Sequence, residues 1–212
     1  MSLIVKERAS TIPPLETDIY TGICVGIVDL GEQKNERFKN YQDKVLFFFE
    51  IVNEFVDVGE GELKPRWLSK EFTASLNSKS NLCKSLQSWR NKTMTKEETE
   101  GFDLKRMVGV PCQLQVMLEE KNDKVYNTVQ TIISLPKGMQ LPQAISEFVI
   151  FDMDDLEEAE KILPTLPQWV QDRIQKSTTW SRLHRNTEEL DLNLEEAAEK
   201  LEDPEEPDEI PF

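Results

Sequence analysis

Apolar residues recur at every second position along much of the stretch from residue 19 to residue 135, and no other sequence feature constrains the fold as strongly. The alternation is clearest in residues 111–119, where Cys112, Leu114, Val116 and Leu118 occupy every second position. Successive side chains of an extended strand point to opposite faces, so a period of two indicates a half-buried strand. The sequence therefore predicts a mainly β fold.

Five strands are expected from this pattern, at residues 19–30, 44–52, 66–76, 111–119 and 125–135. A polar loop is expected at residues 31–43. Between the third and fourth strands, Ser78 or Ser80 is suited to cap a helix, whose Leu82, Leu86 and Trp89 would form one apolar stripe. The insert continues through a short helical turn, because residues 95–98 have the sequence of a capping box.

Three strands, a helix and two further strands follow one another in the order of the OB-fold, a five-stranded and partly open β-barrel. We assign residues 18–136 to this domain. Residues 1–17 are interpreted as an N-terminal arm, since Pro13 and Pro14 block regular structure. Residues 137–187 form a helical extension, with short helices predicted at 154–162 and 168–177, which is expected to pack on the barrel.

The formal charge of −15 is distributed unevenly along the chain. Residues 188–212 contain twelve acidic residues and one lysine, so they carry −11 and leave −4 for residues 1–187. The composition of this segment predicts a disordered acidic tail. Residues 66–96 contain seven basic residues against the single Glu71, a local charge of +6. A nearly neutral body with a basic segment is compatible with a nucleic-acid partner.

The number of cysteines and the hydropathy of the sequence indicate the cellular compartment in which the protein is expected. Cys24, Cys83 and Cys112 are widely spaced and odd in number, which argues for a reducing environment. The longest apolar run, residues 45–49, is far shorter than the roughly 20 residues of a membrane-spanning helix. The N-terminus lacks the apolar region of a signal peptide. We therefore expect a soluble, cytoplasmic protein.

Candidate DNA-binding residues follow from the predicted fold. OB-folds present the second and third strands and two flanking loops to oligonucleotides, whose bases stack on aromatic side chains while Lys and Arg contact phosphates. Arg66, Trp67 and Lys70 combine these residue types on the third strand, with Trp67 expected on the solvent face. The remaining candidates are Lys44, an outward Phe48, Arg90, Lys92, Gln113, Gln115 and Tyr126.

Simpler structural explanations compete with these assignments. Trp89 shares the helix stripe and is better explained as a core residue than as a DNA contact. Trp67 could be covered by the C-terminal helices, and the lysines could form an ordinary solvated surface. Gln113 and Gln115 are residues that any half-exposed strand carries, so they are weak evidence for a site.

The sequence contains no recognisable catalytic motif. It lacks the glycine-rich phosphate loop and the nucleophile elbow, and His184 is its single histidine. The carboxylates at Asp152, Asp154 and Asp155 lack the ligand spacing of a calcium loop, and acidic residues at a helix N-terminus explain them. We therefore expect a protein that is not an enzyme and has no cofactor or metal.

The last five residues carry the first resemblance to a known family. Asp208, Glu209, Ile210, Pro211 and Phe212 resemble the C-terminal tip of bacterial single-stranded DNA-binding proteins, an acidic run that closes in Ile-Pro-Phe. In that family the tip docks into enzymes of replication and repair. The resemblance implies that these five residues bind a partner protein.

The middle of the chain, over residues 20–180, resembles a family of small bacteriophage replication-module proteins. Members of that family are regarded as OB-fold binders of single-stranded DNA, so the resemblance implies a phage-encoded protein in the host cytoplasm. The segments that carry it are Phe72-Thr-Ala-Ser-Leu76, Ser80-Asn-Leu82, Leu86-Gln-Ser-Trp89, Gly101-Phe-Asp-Leu104 and Gly109-Val-Pro-Cys112.

The expected function is to coat single-stranded DNA during phage replication or recombination and to recruit enzymes through the tail. A tethered segment of charge −11 would also compete with DNA for a basic groove. Homo-oligomerisation is left open. The main alternative is an acidic adaptor or DNA mimic that binds no DNA, which predicts acidity across the folded surface. A nuclease or other replication enzyme on the same scaffold is a third alternative.

Overall fold

The computed structural model describes residues 12–36, 38–59, 61–121 and 124–185. Its strands are β1 (Asp18–Asn35), β2 (Asn40–Asp57), β3 (Leu63–Thr73), β4 (Pro111–Lys121), β5 (Lys124–Ile133) and β6 (Val149–Phe151). Its α-helices are α1 (Asn81–Arg90), α2 (Lys96–Glu100), α3 (Leu156–Ile162) and α4 (Gln168–Gln175). Single 3-10 turns span Leu104–Met107 and Leu163–Thr165, and residues 178–185 are also helical. The mainly β prediction is confirmed.

The strands form one sheet in the order β3-β2-β1-β4-β5, and neighbouring strands are antiparallel. The first half of β1 pairs with β4, whereas Gly26, Ile27 and Val28 in its second half pair in parallel with β6. β3 and β5 are therefore the two edge strands of the sheet along this order. Within the described ranges no backbone ladder joins them, so the sheet is open.

β1 and β2 are longer than the sequence pattern indicated, at 18 residues each. Residues 31–43, predicted as a loop, are mostly strand, and the ladder continues to the pair Asn35 and Asn40. The distal end of this hairpin is largely polar on both faces, so apolar periodicity gives no signal there, and the strands are held by backbone pairing. Gly31 sits in the ladder at a φ of +64°, where a Cβ would lie 2.9 Å from Ser177 Oγ. A side chain there would therefore be strained and would press on the residues after α4.

Of the two serines that the sequence offered as caps for the helix after β3, Ser80 takes the role. The Ser80 hydroxyl accepts a hydrogen bond from the Cys83 amide and caps α1. Thr95 and Glu98 form the predicted capping box at the start of α2. Local side-chain chemistry therefore fixes both helix starts.

One sheet face, here called the inner face, is closed by α1. Phe47, Phe49, Cys112 and Leu114 pack there against buried residues of the helix. Trp89 lies with its ring centroid 5.5 Å from that of Phe49 and donates its indole N–H to the Pro111 carbonyl at 3.0 Å. Trp89 is thus a core residue with a satisfied polar atom, as expected.

The opposite face, here called the outer face, is covered over only part of its area. Residues 144–185 pack on the β1–β2–β3 side of the sheet through a second apolar cluster that includes Phe48, Phe151, Val170 and Ile174. The helices at Leu156–Ile162 and Gln168–Gln175 lie close to the predicted ranges and belong to this layer. The outer surface of β4 and β5 carries no such layer within the described ranges.

Residues just before β1 bridge the gap between the two edge strands. Leu15 is 6% exposed and belongs to the inner cluster. The Asn127 side chain on β5 accepts from the Leu15 N–H and donates to the Leu15 carbonyl, both at 2.8 Å. Arg66 on β3 donates to the Pro13 carbonyl at 2.7 Å and to Asn127 Oδ1 at 3.2 Å. Leu15, which belongs to the predicted N-terminal arm, therefore plugs the gap in the sheet core, while Pro13 and Pro14 stay exposed. Residues 1–11 lie outside the described ranges.

Replacing Leu15 with alanine is expected to lower the free energy of unfolding by about 2–5 kcal/mol, because it removes a buried side chain and leaves a cavity in the core. Urea denaturation followed by far-UV circular dichroism measures this loss. Ile19→Ala, at an exposed position on β1, is the matched control and should change the unfolding free energy little. Equal losses in the two variants would contradict the plug.

None of the helices in the described ranges has both the length and the hydrophobicity that spanning a bilayer requires.

Candidate nucleic-acid interface

An aromatic groove opens on the outer face where β2 and β3 meet α4. Phe48 forms its floor, with its ring centroid 5.5 Å from that of Trp67 and 6.5 Å from that of Trp169. The groove has a volume of about 530 Å³, and its remaining lining residues include Ile12, Val56, Val58, Pro65, Ser146 and Pro167. Trp169 is 48% exposed, so one indole is open to solvent at the rim. We call this volume the first compartment.

Phe48 does point to the outer face, as the alternation predicted, but it is not accessible. It is only 3% exposed because residues 144–185 cover that part of the sheet. The expectation of an outward phenylalanine free to stack on a base was wrong. Phe48 instead supports the two tryptophans that border the first compartment.

Trp67 is half-buried and its indole orientation is fixed by a hydrogen bond. The indole N–H donates to Ser146 Oγ at 2.8 Å. Ser146 is held in turn by Glu50 on β2, whose carboxyl oxygens accept from the backbone N–H groups of Ile145 at 2.9 Å and Ser146 at 2.8 Å. Trp67 was expected either to stack on DNA or to be covered by the C-terminal helices. In the structure it is partly covered by C-terminal residues and partly faces a groove.

A second compartment adjoins the first and shares Trp67 and Lys64 with it. Its volume is about 630 Å³, and Phe148, Val149, Ile162 and Thr165 complete most of its wall. The Lys64 ammonium lies 3.5 Å from Glu62 and its side chain is 58% exposed. The two compartments thus form a path of mainly aromatic and apolar surface, with the exposed Lys64 where they meet and the exposed Glu147 in the wall of the second.

Arg66 lines part of the first compartment, but its guanidinium and the Lys70 ammonium are directed away from this path. Both residues share strand parity with Leu68 and Phe72, so they point to the inner side and bridge to β5. The Lys70 ammonium donates to the carbonyls of Val129 and Gln130, and it lies 5.5 Å from the Phe72 ring centroid. Burial lowers the pKa of both Arg66 and Lys70. Their donors serve contacts within the protein, so the geometry gives no support to their expected role as phosphate contacts, which stays a prediction.

Lys44 is also engaged within the protein. Its ammonium donates to Thr73 Oγ1 at 2.9 Å and lies 3.9 Å from Glu71 Oε1, and its side chain is largely covered. Lys44 therefore ties β2 to β3 and is not a free surface cation.

Arg90 and Lys92 converge on Glu98 at the junction of α1 and α2. The Arg90 guanidinium donates to Glu98 Oε1, contacts Met94 Sδ at 3.1 Å and lies 4.7 Å from the Phe102 ring centroid. Lys92 lies 3.5 Å from the same carboxylate and remains more exposed. The hydrogen bond from Arg90 is the largest cause that lowers the pKa of Glu98 to about 2.

This depressed pKa predicts a pH dependence. A carboxylate with a folded-state pKa below its unfolded value stabilises the fold above the unfolded pKa and loses that contribution as pH falls through the folded pKa. The contribution of Glu98 to the free energy of unfolding should therefore be complete above about pH 4.5 and disappear as the pH falls towards 2. NMR titration of the Glu98 side chain measures it, and Arg90→Met should move the pKa back up. An unchanged pKa in this variant would contradict the assigned cause.

Gln113, Gln115 and Tyr126 lie on the bare outer surface of β4 and β5, away from the aromatic path. Tyr126 is exposed, and Gln115 accepts a hydrogen bond from Thr131 Oγ1 at 3.0 Å. The structure does not bring these three residues together with Trp67. They remain a separate candidate surface.

Sequence reasoning missed several residues of the path, among them Lys64, Trp169, Ser146 and Phe148. Trp169 precedes the buried Val170 and lies off the stripe that Val170 and Ile174 form on α4, and this position was an available signal. Ser146 and Phe148 belong to the irregular segment between β5 and β6, where no periodic pattern identifies their neighbours. Asp208, Glu209, Ile210, Pro211 and Phe212 lie outside the described residues.

The acidic residues near α3 have structural partners. Asp155 caps the helix by accepting from the Glu158 amide at 3.2 Å, and Asp152 pairs with Lys105 at 2.5 Å. The nearby Asp29 has a raised pKa, first because it is buried and then because Asp152 and other aspartates lie close. Within the described ranges no group of three or more carboxylates, cysteines or histidines is placed to hold a metal ion.

The sequence matches no protein-family model and has no significant similarity to any curated protein.

Proposed function

We propose that the protein binds single-stranded DNA through the aromatic path on the outer face. The observation that carries this proposal is the pair of indoles of Trp67 and Trp169. Both pack against Phe48 and border a groove of about 530 Å³. Aromatic platforms of this kind bind bases by stacking, which contributes about 1–3 kcal/mol per base. A phosphate backbone following the path would pass Lys64.

We also propose that the sheet is an OB-type barrel with an open seam. The element order, with α1 inserted between β3 and β4 and closing the inner face, supports this assignment. So does the proximity of the edge strands, which the Lys70 ammonium spans by bonding to two carbonyls of β5. In OB-folds, strands two and three carry the oligonucleotide face, and the aromatic path lies on the outer side of β2 and β3.

The geometry favours single strands of any sequence over duplex DNA. The Trp67 N–H is occupied by Ser146, so only the ring surface is offered to a base. Every base has a stacking surface, whereas the bases of a duplex are already stacked on one another. We expect binding with little dependence on base identity and little response to duplex DNA.

The electrostatic contribution to this binding should be modest. Of the basic residues singled out from the sequence, Arg66, Lys70, Lys44 and Arg90 donate hydrogen bonds within the protein, and Lys92 lies near the Glu98 carboxylate. Each phosphate neutralised on a single strand contributes about −0.7 to the slope of log affinity against log salt. A path with Lys64 as its nearest exposed cation therefore predicts a shallow negative slope.

The acidic segment at residues 188–212 completes the proposal. Through its last five residues it would recruit enzymes of replication or recombination, so the protein would act as a non-enzymatic coat on single strands in phage replication. An acidic adaptor that binds no DNA is the alternative, although residues 1–187 carry only −4 of the net charge of −15.

Titration of the full chain with oligo-dT, followed by tryptophan fluorescence at two salt concentrations, tests the proposal. Quenching that saturates, with little response to duplex DNA of equal length, would support it. Absence of binding at low salt, also by a chain that lacks residues 188–212, would overturn it and favour the acidic adaptor.

A further inference from the structure

Glu50 is an acidic residue whose burial in the protein requires an explanation. It sits on β2 between Ile23 of β1 and Trp67 of β3, on the covered part of the outer face, and is 2% exposed. Its side-chain oxygens accept two backbone N–H groups, from Ile145 and Ser146. A carboxyl group buried at this depth is costly unless its hydrogen bonds are made, so these two bonds are needed at this position.

The two bonds act on a segment that has little other regular structure. Residues 134–148 connect β5 to β6 without helix or strand, and Ile145 and Phe148 expose much of their apolar side chains. Irregular connections of this length are uncommon in compact domains and are often functional. Through these two hydrogen bonds Glu50 holds the connection against the sheet, at the point where the connection contacts Trp67.

The same connection forms a wall of both compartments. Ser146 lines the first compartment and accepts the Trp67 N–H, and Phe148 lines the second. A shift of the backbone at residues 145–146 would therefore change the indole orientation and the shape of the groove on each side of it.

We infer that Glu50 is a positioning residue, which fixes residues 144–148 over the outer face and, through Ser146, sets the orientation of the Trp67 ring between the two compartments. Glu50 touches no ligand itself. It acts by holding the stacking surface in place before DNA arrives, which lowers the cost of ordering that surface on binding.

The test uses the full chain labelled with 5-fluorotryptophan, in which Trp67→Phe identifies the fluorine resonance of Trp67. Glu50→Gln keeps the side-chain shape but offers an N–H where an oxygen accepted one, so it should shift and broaden the Trp67 resonance. Ser146→Ala removes the indole acceptor and should also shift it. The double variant should shift it no further than the larger single effect. Glu120→Gln, at an exposed position on β4, is the matched control and should leave it unchanged.

Binding of oligo-dT provides a second readout, which rests on the function proposed above. Glu50→Gln should weaken binding by up to about tenfold, because a stacking surface that is no longer held in place must be ordered when DNA binds. A Trp67 resonance that stays in place in both Glu50→Gln and Ser146→Ala would overturn the inference, whatever the DNA result. A shifted resonance in a protein that binds no DNA would overturn the proposed function and leave the positioning role standing.

If Glu50→Gln fails to fold, Ser146→Ala and hydrogen exchange in the unmodified protein still decide the matter. The amides of Ile145 and Ser146 should exchange slowly for groups in an irregular segment, because both donate to Glu50. Rapid exchange of both amides would contradict the inference.

Discussion

Replacing Trp67 with alanine is expected to weaken the binding of oligo-dT by roughly tenfold to a hundredfold, because stacking of one base on an aromatic side chain contributes about 1–3 kcal/mol. The Trp67 ring borders both compartments, so its removal deletes the surface that makes them continuous. Fluorescence anisotropy of a labelled oligonucleotide measures the loss. Trp67→Phe should retain much of the affinity, since a smaller ring still stacks.

Tyr126→Ala is the informative control for this variant. Tyr126 is about as exposed as Trp169 but lies on the bare surface of β4 and β5, where Gln113 and Gln115 also point. Unchanged affinity in Tyr126→Ala together with a large loss in Trp67→Ala assigns binding to the aromatic path. The reverse pattern would move the DNA site to the β4–β5 surface.

Deleting residues 188–212 is expected to tighten binding of oligo-dT at low salt by roughly tenfold. A tethered segment of charge −11 opposes DNA in two ways, by occupying free cations such as Lys64 and by repelling the phosphate backbone wherever it binds. The gain should disappear at high salt, where both effects are screened. Affinities measured with and without the segment across a salt series test this.

A shorter deletion separates the charge of the tail from its tip. Removing Ile210, Pro211 and Phe212 leaves all twelve acidic residues of the segment in place. DNA affinity should then stay unchanged, whereas capture of replication enzymes should be lost. Equal DNA affinity of the full chain and the chain lacking residues 188–212 at low salt would rule out competition by the tail.

Five of the six described strands and the first helix could be located because their signals are local, whereas the three-residue β6 was not predicted. Alternation at Cys112, Leu114 and Val116 identifies β4 from a few neighbours, and the hydroxyl of Ser80 marks the start of α1. The alternation and the helix cap each depend only on residues close together in the sequence.

The candidate site could be predicted only in part, because exposure depends on distant segments. Phe48 is on the expected face, but its burial depends on residues 144–185, which lie about a hundred positions later. Arg66 and Lys70 share parity with the inward Leu68, so their direction was available from the sequence. Their partners on β5 were not, since these require knowing that the two edge strands meet.

The plug at Leu15 has a consequence for how the chain is made. Asn127, whose side chain holds the Leu15 backbone, leaves the ribosome 112 residues after Leu15. Contacts this distant in sequence form late, because a long loop must close before they stabilise anything. A nascent chain that has produced β1 to β4 therefore still has an unfilled gap over its phenylalanine core. A chaperone that binds emerging apolar surface is expected to find its target there until β5 has been synthesised.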